Sequence, residues 1–174
     1  MIEQEFPQVY TLNEESRLKI QAIKQLYPGA KSAILPALHV VQAQFGFVPA
    51  PPMIEVAAIL GMLYSEVEQV VTFYRMYNQQ PVGKFVVKVC DSISCYLRGS
   101  DELLAQGEQK LGLHTGETTG DGQITLAKIE CLAACGAAPC LQVNDEFVYN
   151  VTPEQFDGIL DELKTAKTNP YYLA

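Results

Sequence analysis

Val89-Cys90-Asp91-Ser92-Ile93-Ser94-Cys95 and, further along, Glu130-Cys131-Leu132-Ala133-Ala134-Cys135-Gly136 present a C-x4-C pair and a C-x3-C pair. Each pair follows an apolar run: Phe85-Val86-Val87-Lys88-Val89 for the first, Ile124 to Ile129 for the second. A nearly continuous apolar run reads as a strand covered on both faces. Each cysteine pair is therefore expected on a loop leaving a sheet edge. Two thiolates from each of two loops can grip one compact inorganic centre. The favoured reading is a [2Fe–2S] cluster, with Cys90 and Cys95 on one iron and Cys131 and Cys135 on the other. Small residues beside them (Ser94, Ala133, Ala134, Gly136) let backbone N–H groups approach the sulfurs.

The spacings leave structural zinc open as a rival, because zinc pairs commonly come as C-x2–4-C. A thioredoxin-type dithiol is disfavoured by the absence of C-x-x-C, and a Rieske-type centre because neither His39 nor His114 stands beside a cysteine. Cys140, the fifth cysteine, follows Ala138-Pro139 at the entry to a strand and reads as a small apolar core residue.

Outward from the cysteines, the sequence organises itself around these two runs. Ser100 with Asp101 and Glu102 starts a helix carrying Leu103, Leu104 and Leu111, and its acids suit the helix dipole. Residues 112–122 form a turn-rich connection. Leu141 to Val143 and Phe147 to Tyr149 flank Asn144-Asp145-Glu146 as a hairpin. Thr152-Pro153-Glu154-Gln155 is a capping box opening a helix with Phe156, Ile159, Leu160 and Leu163 on one face. The order β-α-β, hairpin, α is that of a thioredoxin-like core, in which the loop from Cys131 to Pro139 stands where a middle helix would otherwise be.

Before Asn78-Gln79-Gln80-Pro81-Val82-Gly83 the periodicity is helical throughout. After an arm over residues 1–12, Asn13 or Ser16 caps a helix with Leu18, Ala22 and Leu26 on one face. A second helix, Ser32 to Gln44, aligns Ile34, Leu38, Val41 and Phe45, with Pro36 in its first turn or kinking it. Pro51-Pro52 opens a third, with Met53, Val56, Ala57 and Leu60 inward. Ser65-Glu66-Val67-Glu68 caps a fourth that buries Val67, Val70, Val71 and Tyr74. The fold class is α+β: a helical N-terminal bundle over residues 1–80, a thioredoxin-like α/β domain over 81–165, and a loose tail over 166–174.

The chain has 174 residues, is 48% hydrophobic and carries a net charge of −8. Such a surface repels nucleic acid and anionic membrane. Residues 52–75 mimic a helix-turn-helix, but the would-be recognition helix carries Glu66 and Glu68 and offers only Arg75, so phosphate attraction is missing. No apolar run approaches the roughly 20 residues of a membrane span, and the acidic start lacks signal-peptide features. A cytoplasmic protein without nucleic-acid binding or direct membrane insertion is expected, and in that compartment cysteines read as ligands before disulfides.

With these residues in place, the chain resembles the E chains of bacterial NADH–quinone oxidoreductase (respiratory complex I), the thioredoxin-like [2Fe–2S] subunits. The resemblance rests on Phe45-Gly46-Phe47-Val48-Pro49, Val71-Thr72-Phe73-Tyr74, both cysteine loops, Ala138-Pro139 and Val143-Asn144-Asp145. It implies a [2Fe–2S] cluster rather than zinc, held by Cys90, Cys95, Cys131 and Cys135, with no catalytic residue on this chain. Ala133 stands where the family commonly has glycine, and Cys140 where it often has methionine or another apolar residue. The implied partner is a flavoprotein that carries FMN, binds NADH and holds a [4Fe–4S] cluster, within the peripheral arm of complex I at the inner (plasma) membrane. No G-x-G-x-x-G follows a strand here, so NADH binding is not expected on this chain. Relatives of the same type serve NAD-linked hydrogenases and formate dehydrogenases, and an equivalent diaphorase role is the alternative.

Overall fold

A computed structural model describes residues 10–171, and the chain divides into two units, Met1–Pro81 and Val82–Ala174. The expected arm therefore lies mostly outside the described residues; what is described of it is anchored. Leu12 is buried and its N–H donates to Glu55 Oε1 at 2.9 Å, while Tyr10 packs edge-on against Phe45 and Phe47.

Among the described residues the first unit holds four helices: α1 (Glu14–Leu26), α2 (Ala30–Phe45), α3 (Ala50–Leu60) and α4 (Tyr64–Phe73). Asn13 caps α1 by accepting the Ser16 N–H at 2.8 Å. The face that α1 buries is not the expected one. Ser16 and Ile20 turn inward with Ile23 half-buried, whereas Leu18 and Leu26 are exposed. Two isoleucines on the opposite side win the core, so the leucine stripe is left at the surface. Pro36 falls inside α2, past its first turn, and the helix continues to a left-handed Gly46 whose N–H returns to Gln42 O. In α3 the inward set matches the expectation.

Helix α4 starts two residues earlier than its Ser65-x-x-Glu68 pattern implies. Leu63 takes the N-cap position, and Glu66 reaches back to the Leu63 N–H at 3.1 Å. Leucine has no acceptor, so this is half of a capping box. Val67 and Val71 are buried, Val70 is partly so, and Tyr74 is 39% exposed. Beyond α4, Tyr77 is buried with its hydroxyl donating to Leu35 O at 2.8 Å.

The second unit is a four-stranded sheet in the order β2-β1-β3-β4, built from β1 (Phe85–Cys90), β2 (Ile124–Ile129), β3 (Leu141–Val143) and β4 (Glu146–Val148). β1 pairs parallel with β2 and antiparallel with β3, which makes β1 an inner strand and not a sheet edge. Its burial on both faces is what its apolar run requires. The helices are α5 (Ile93–Tyr96), α6 (Ser100–Leu111) and α7 (Pro153–Thr165). α5 replaces the plain loop expected between Cys90 and Cys95. A left-handed Gly99 caps α6, and Ser100 is its first helical residue.

Asn144 and Asp145 alone make the hairpin turn, with Asn144 at φ 56, so β4 begins at Glu146 instead of Phe147. α7 has its full capping box: Gln155 N–H to Thr152 Oγ1, and Thr152 N–H to Gln155 Oε1. Phe156, Leu160 and Leu163 are fully buried and Ile159 nearly so, each contributing about 1.5–3 kcal/mol of transfer free energy. The segment after α7 is docked, not loose, as far as it is described. Asn169 Nδ2 donates to Val143 O, and Tyr171 packs on the core with its hydroxyl on Glu162 Oε2.

Candidate metal centre

Parallel pairing creates the site. The β1–β2 register runs from Phe85↔Ile124 to Cys90↔Ile129, so the two strands end side by side and the chain leaves both in the same direction. Loops after parallel strands converge at the carboxyl end of a sheet. The two loops here are also tied to each other. Asp91 N–H donates to Ile129 O at 3.0 Å, the Ser92 hydroxyl to Glu130 O, and the Cys90 thiol to Glu130 O at 3.6 Å. The second loop has no middle helix, only a short 3-10 turn at Cys135–Ala137. It is anchored by Asn150 N–H to Ala137 O and Val151 N–H to Pro139 O, and its Ala138–Pro139 peptide is cis.

The cysteines fall into two sets. Cys90 and Cys95 are each 2% exposed, and with Cys140 at 1% they form a group whose sulfurs all lie within 4.8 Å of one another. Leu132 and Ala138 complete this small buried cluster, with Ile129 and Ala134 packed against it. Cys131 and Cys135 are exposed and stand outside the group of three. The chain thus brings two of the four expected ligands together with a cysteine assigned to the core. Cys140 is buried as expected, but its neighbours are thiols. Register carries the signal for this: Val89↔Leu141 in the antiparallel β1–β3 pair puts Cys140 opposite Cys90, and Cys90 N–H donates to Cys140 O at 3.1 Å.

Electrostatics separate the three buried thiols. Burial works to raise Cys90, but the backbone of Ser92 and Leu132 and the thiols of Cys95 and Cys140 outweigh it, and the Cys90 thiol is lowered overall. Leu132 belongs to the second loop, so that loop already serves a sulfur of the first. Burial raises Cys95, against the pull of the Cys140 backbone. Burial and the adjoining Cys95 push Cys140 up to about 12. In the outer pair, Ala133 holds φ 55 and donates its N–H to Cys131 Sγ at 3.4 Å. A depression of about 370 Å³ opens beside Cys135, lined by Ser94, Leu97, Arg98, Gly136, Ala138 and Asn150.

Soft sulfur donors on two touching loops, with backbone amides turned to the sulfurs of each, fit a cluster of iron and sulfide. His39 and His114 are absent from the group of close potential ligands.

Comparison with known proteins agrees with this geometry. The family of thioredoxin-like [2Fe–2S] ferredoxins matches residues 20–164. An E-type chain of NADH-quinone oxidoreductase from Rhizobium meliloti (strain 1021), the one numbered 2, is 41% identical over 87% of this chain and 90% of its own length. The E-type chain of the same enzyme from Rickettsia bellii (strain RML369-C) is 39% identical over 89% and 95%, and that from Mycobacterium bovis 37% over 91% and 64%. A crystal structure of an NAD+-reducing [NiFe]-hydrogenase in the H2-reduced state superposes with a TM-score of 0.69 at 16% identity. It covers 80% of this chain and 23% of the hydrogenase chain, and the likeness is one of fold. By its family match and by relatives near 40% identity along most of its length, the chain belongs to the thioredoxin-like [2Fe–2S] ferredoxin family.

Proposed function

We propose that this chain is the one-electron carrier of an NADH-oxidising assembly of the NADH–quinone oxidoreductase type, with Cys90, Cys95, Cys131 and Cys135 as ligands of a [2Fe–2S] cluster. The observation that carries the reading is the parallel β1–β2 pair, which delivers both cysteine loops to one end of the sheet. The cluster, when bound, supplies a single-electron store between a two-electron flavin and one-electron carriers. The chain's own residues do the rest. Buried Cys90 and Cys95 hold the inner half away from water, and the backbone of Ser92 and Leu132 favours the Cys90 thiolate. Ala133 N–H serves the Cys131 sulfur on the outer half. Ile93, Tyr96 and Leu97 are exposed on and just after α5, and Leu97 lines the depression beside Cys135. That apolar rim suits a protein electron donor.

The donor in this reading is a partner flavoprotein with FMN, an NADH site and a [4Fe–4S] cluster, inside the peripheral arm of the complex. The names of the relatives support that assembly over a hydrogenase or formate dehydrogenase. Among the described residues no helix is long and apolar enough to cross a membrane, which accords with a peripheral position on the cytoplasmic side of the inner membrane.

Iron and acid-labile sulfide analysis of protein purified anaerobically tests the reading. Equal amounts of both and a rhombic signal on reduction are expected, and Cys90→Ala or Cys131→Ala abolishes normal assembly while Cys140→Ala retains it. Stoichiometric zinc without iron would overturn the proposal.

A further inference from the structure

Cys140 has no part in the ligand set above, yet its Sγ lies 3.7 Å from that of Cys95, at a site that is 1% exposed. Between two thiols either sulfur can donate the hydrogen. That symmetry ends when Cys95 becomes a metal ligand, because a coordinating thiol gives up its proton. The only S–H left in the pair is then on Cys140, and the acceptor beside it is the Cys95 sulfur. We propose that Cys140 is a positioning residue for electron transfer, whose buried S–H donates to the Cys95 ligand sulfur and raises the reduction potential of the site. The inference rests on the cluster reading above, and specifically on Cys95 as a ligand.

The direction follows from charge. Reduction adds an electron and increases the negative charge shared by the ligand sulfurs, and a hydrogen bond strengthens as its acceptor becomes more anionic. A donor at this point therefore stabilises the reduced state more than the oxidised one. Burial sharpens the effect, since Leu132 and Ala138 enclose the thiols and leave little room for water to compete for the same sulfur. The hydrogen bond from Cys90 N–H to Cys140 O at 3.1 Å fixes the backbone that carries the donor. An apolar side chain at residue 140 would fill the same volume and donate nothing.

The test is a redox titration of the full chain with its cluster loaded, followed by the reduced-state magnetic resonance signal, in wild type and in Cys140→Ala, Cys140→Val and Cys140→Ser. With the donor removed, Cys140→Ala and Cys140→Val keep full iron and sulfide content. Their reduced-to-oxidised ratio at fixed ambient potential falls about threefold, a shift of about 30 mV for a one-electron couple. Cys140→Ser restores a donor and returns the potential toward wild type. Full clusters with unchanged potentials in Ala and Val would overturn the proposal and leave the cluster reading standing. Loss of the cluster in all three variants would make Cys140 a ligand and overturn the proposal together with the ligand set. A wild-type chain that binds no iron would sink the parent reading instead.

Discussion

Replacing Ala133 with glycine should stabilise this protein. Ala133 sits between Cys131 and Cys135 with φ 55, in the left-handed region, and its side chain is exposed. Left-handed backbone costs an L-residue roughly 1–2 kcal/mol, because Cβ crowds the following carbonyl. Glycine removes that cost. It also gives the unfolded chain more freedom, which takes back about 0.4–1 kcal/mol. The exposed methyl adds no burial term, and the hydrogen bond from residue 133 N–H to Cys131 Sγ is a backbone bond that survives the change. The net gain is about 0.5–1 kcal/mol, or about 1–4 °C in Tm for a chain of this length.

Urea and thermal unfolding of the reduced, cluster-free chain would measure the effect without a contribution from metal binding. Ala133→Val is the counterpart: a β-branched residue tolerates this backbone worse than alanine and should lose about 1 kcal/mol or more. A glycine variant no more stable than wild type, beside a valine variant that is tolerated, would refute the strain argument.

Two further outcomes follow from buried polar contacts. Thr125 is 4% exposed; its Oγ1 accepts the Gly83 N–H at 2.7 Å and shares a hydrogen bond with Thr118 Oγ1. Thr125→Val keeps the shape but strands that amide, and a loss of about 1–2 kcal/mol in urea unfolding with unchanged slope is expected; a neutral result would mean that the amide finds another partner. Burial, with a smaller contribution from Tyr74, pushes Tyr77 from its ordinary value of 10.0 to about 12. The folded state prefers the neutral phenol, so this contribution is complete below pH 10 and is lost as pH rises toward 12. Tyr77→Phe should flatten the stability profile over that window, and a profile identical to wild type would count against it.

Most of the second unit was legible because its signals are local and strong. The capping box at Thr152 and the i, i+3, i+4, i+7 spacing from Phe156 place α7 and its buried face without tertiary knowledge. Largely apolar runs likewise define β1 and β2. What escaped depended on competition or on long-range pairing. In α1 both a leucine stripe and the Ile20–Ile23 side are apolar, and only packing against the other helices decides which one is buried. The local pattern pairs Ser65 with Glu68, whereas the chain uses Glu66 to satisfy the Leu63 N–H and leaves Glu68 to accept from the Tyr64 hydroxyl. The docked segment after α7 depends on Asn169 reaching Val143 O, a contact 26 residues distant. Within the site, the four-cysteine pattern was visible from spacing, whereas the place of Cys140 among the thiols required the β1–β3 register.

The rung Cys90↔Ile129 closes the β1–β2 ladder, and this has a consequence for how the protein can vary in length. Side chains alternate along a strand, so deleting one residue within β1 would turn every later side chain to the opposite face and draw the first cysteine back into the ladder. Neither error could be mended by neighbouring loops, because β1 is held on both sides. The connection over residues 112–122 is held more locally, through Gly116, Glu117 and Thr119, whose backbones hydrogen-bond to Leu126 and Ile124 of β2. Insertions and deletions should therefore be excluded from β1, where spacing from the sheet to the thiol is counted in single residues.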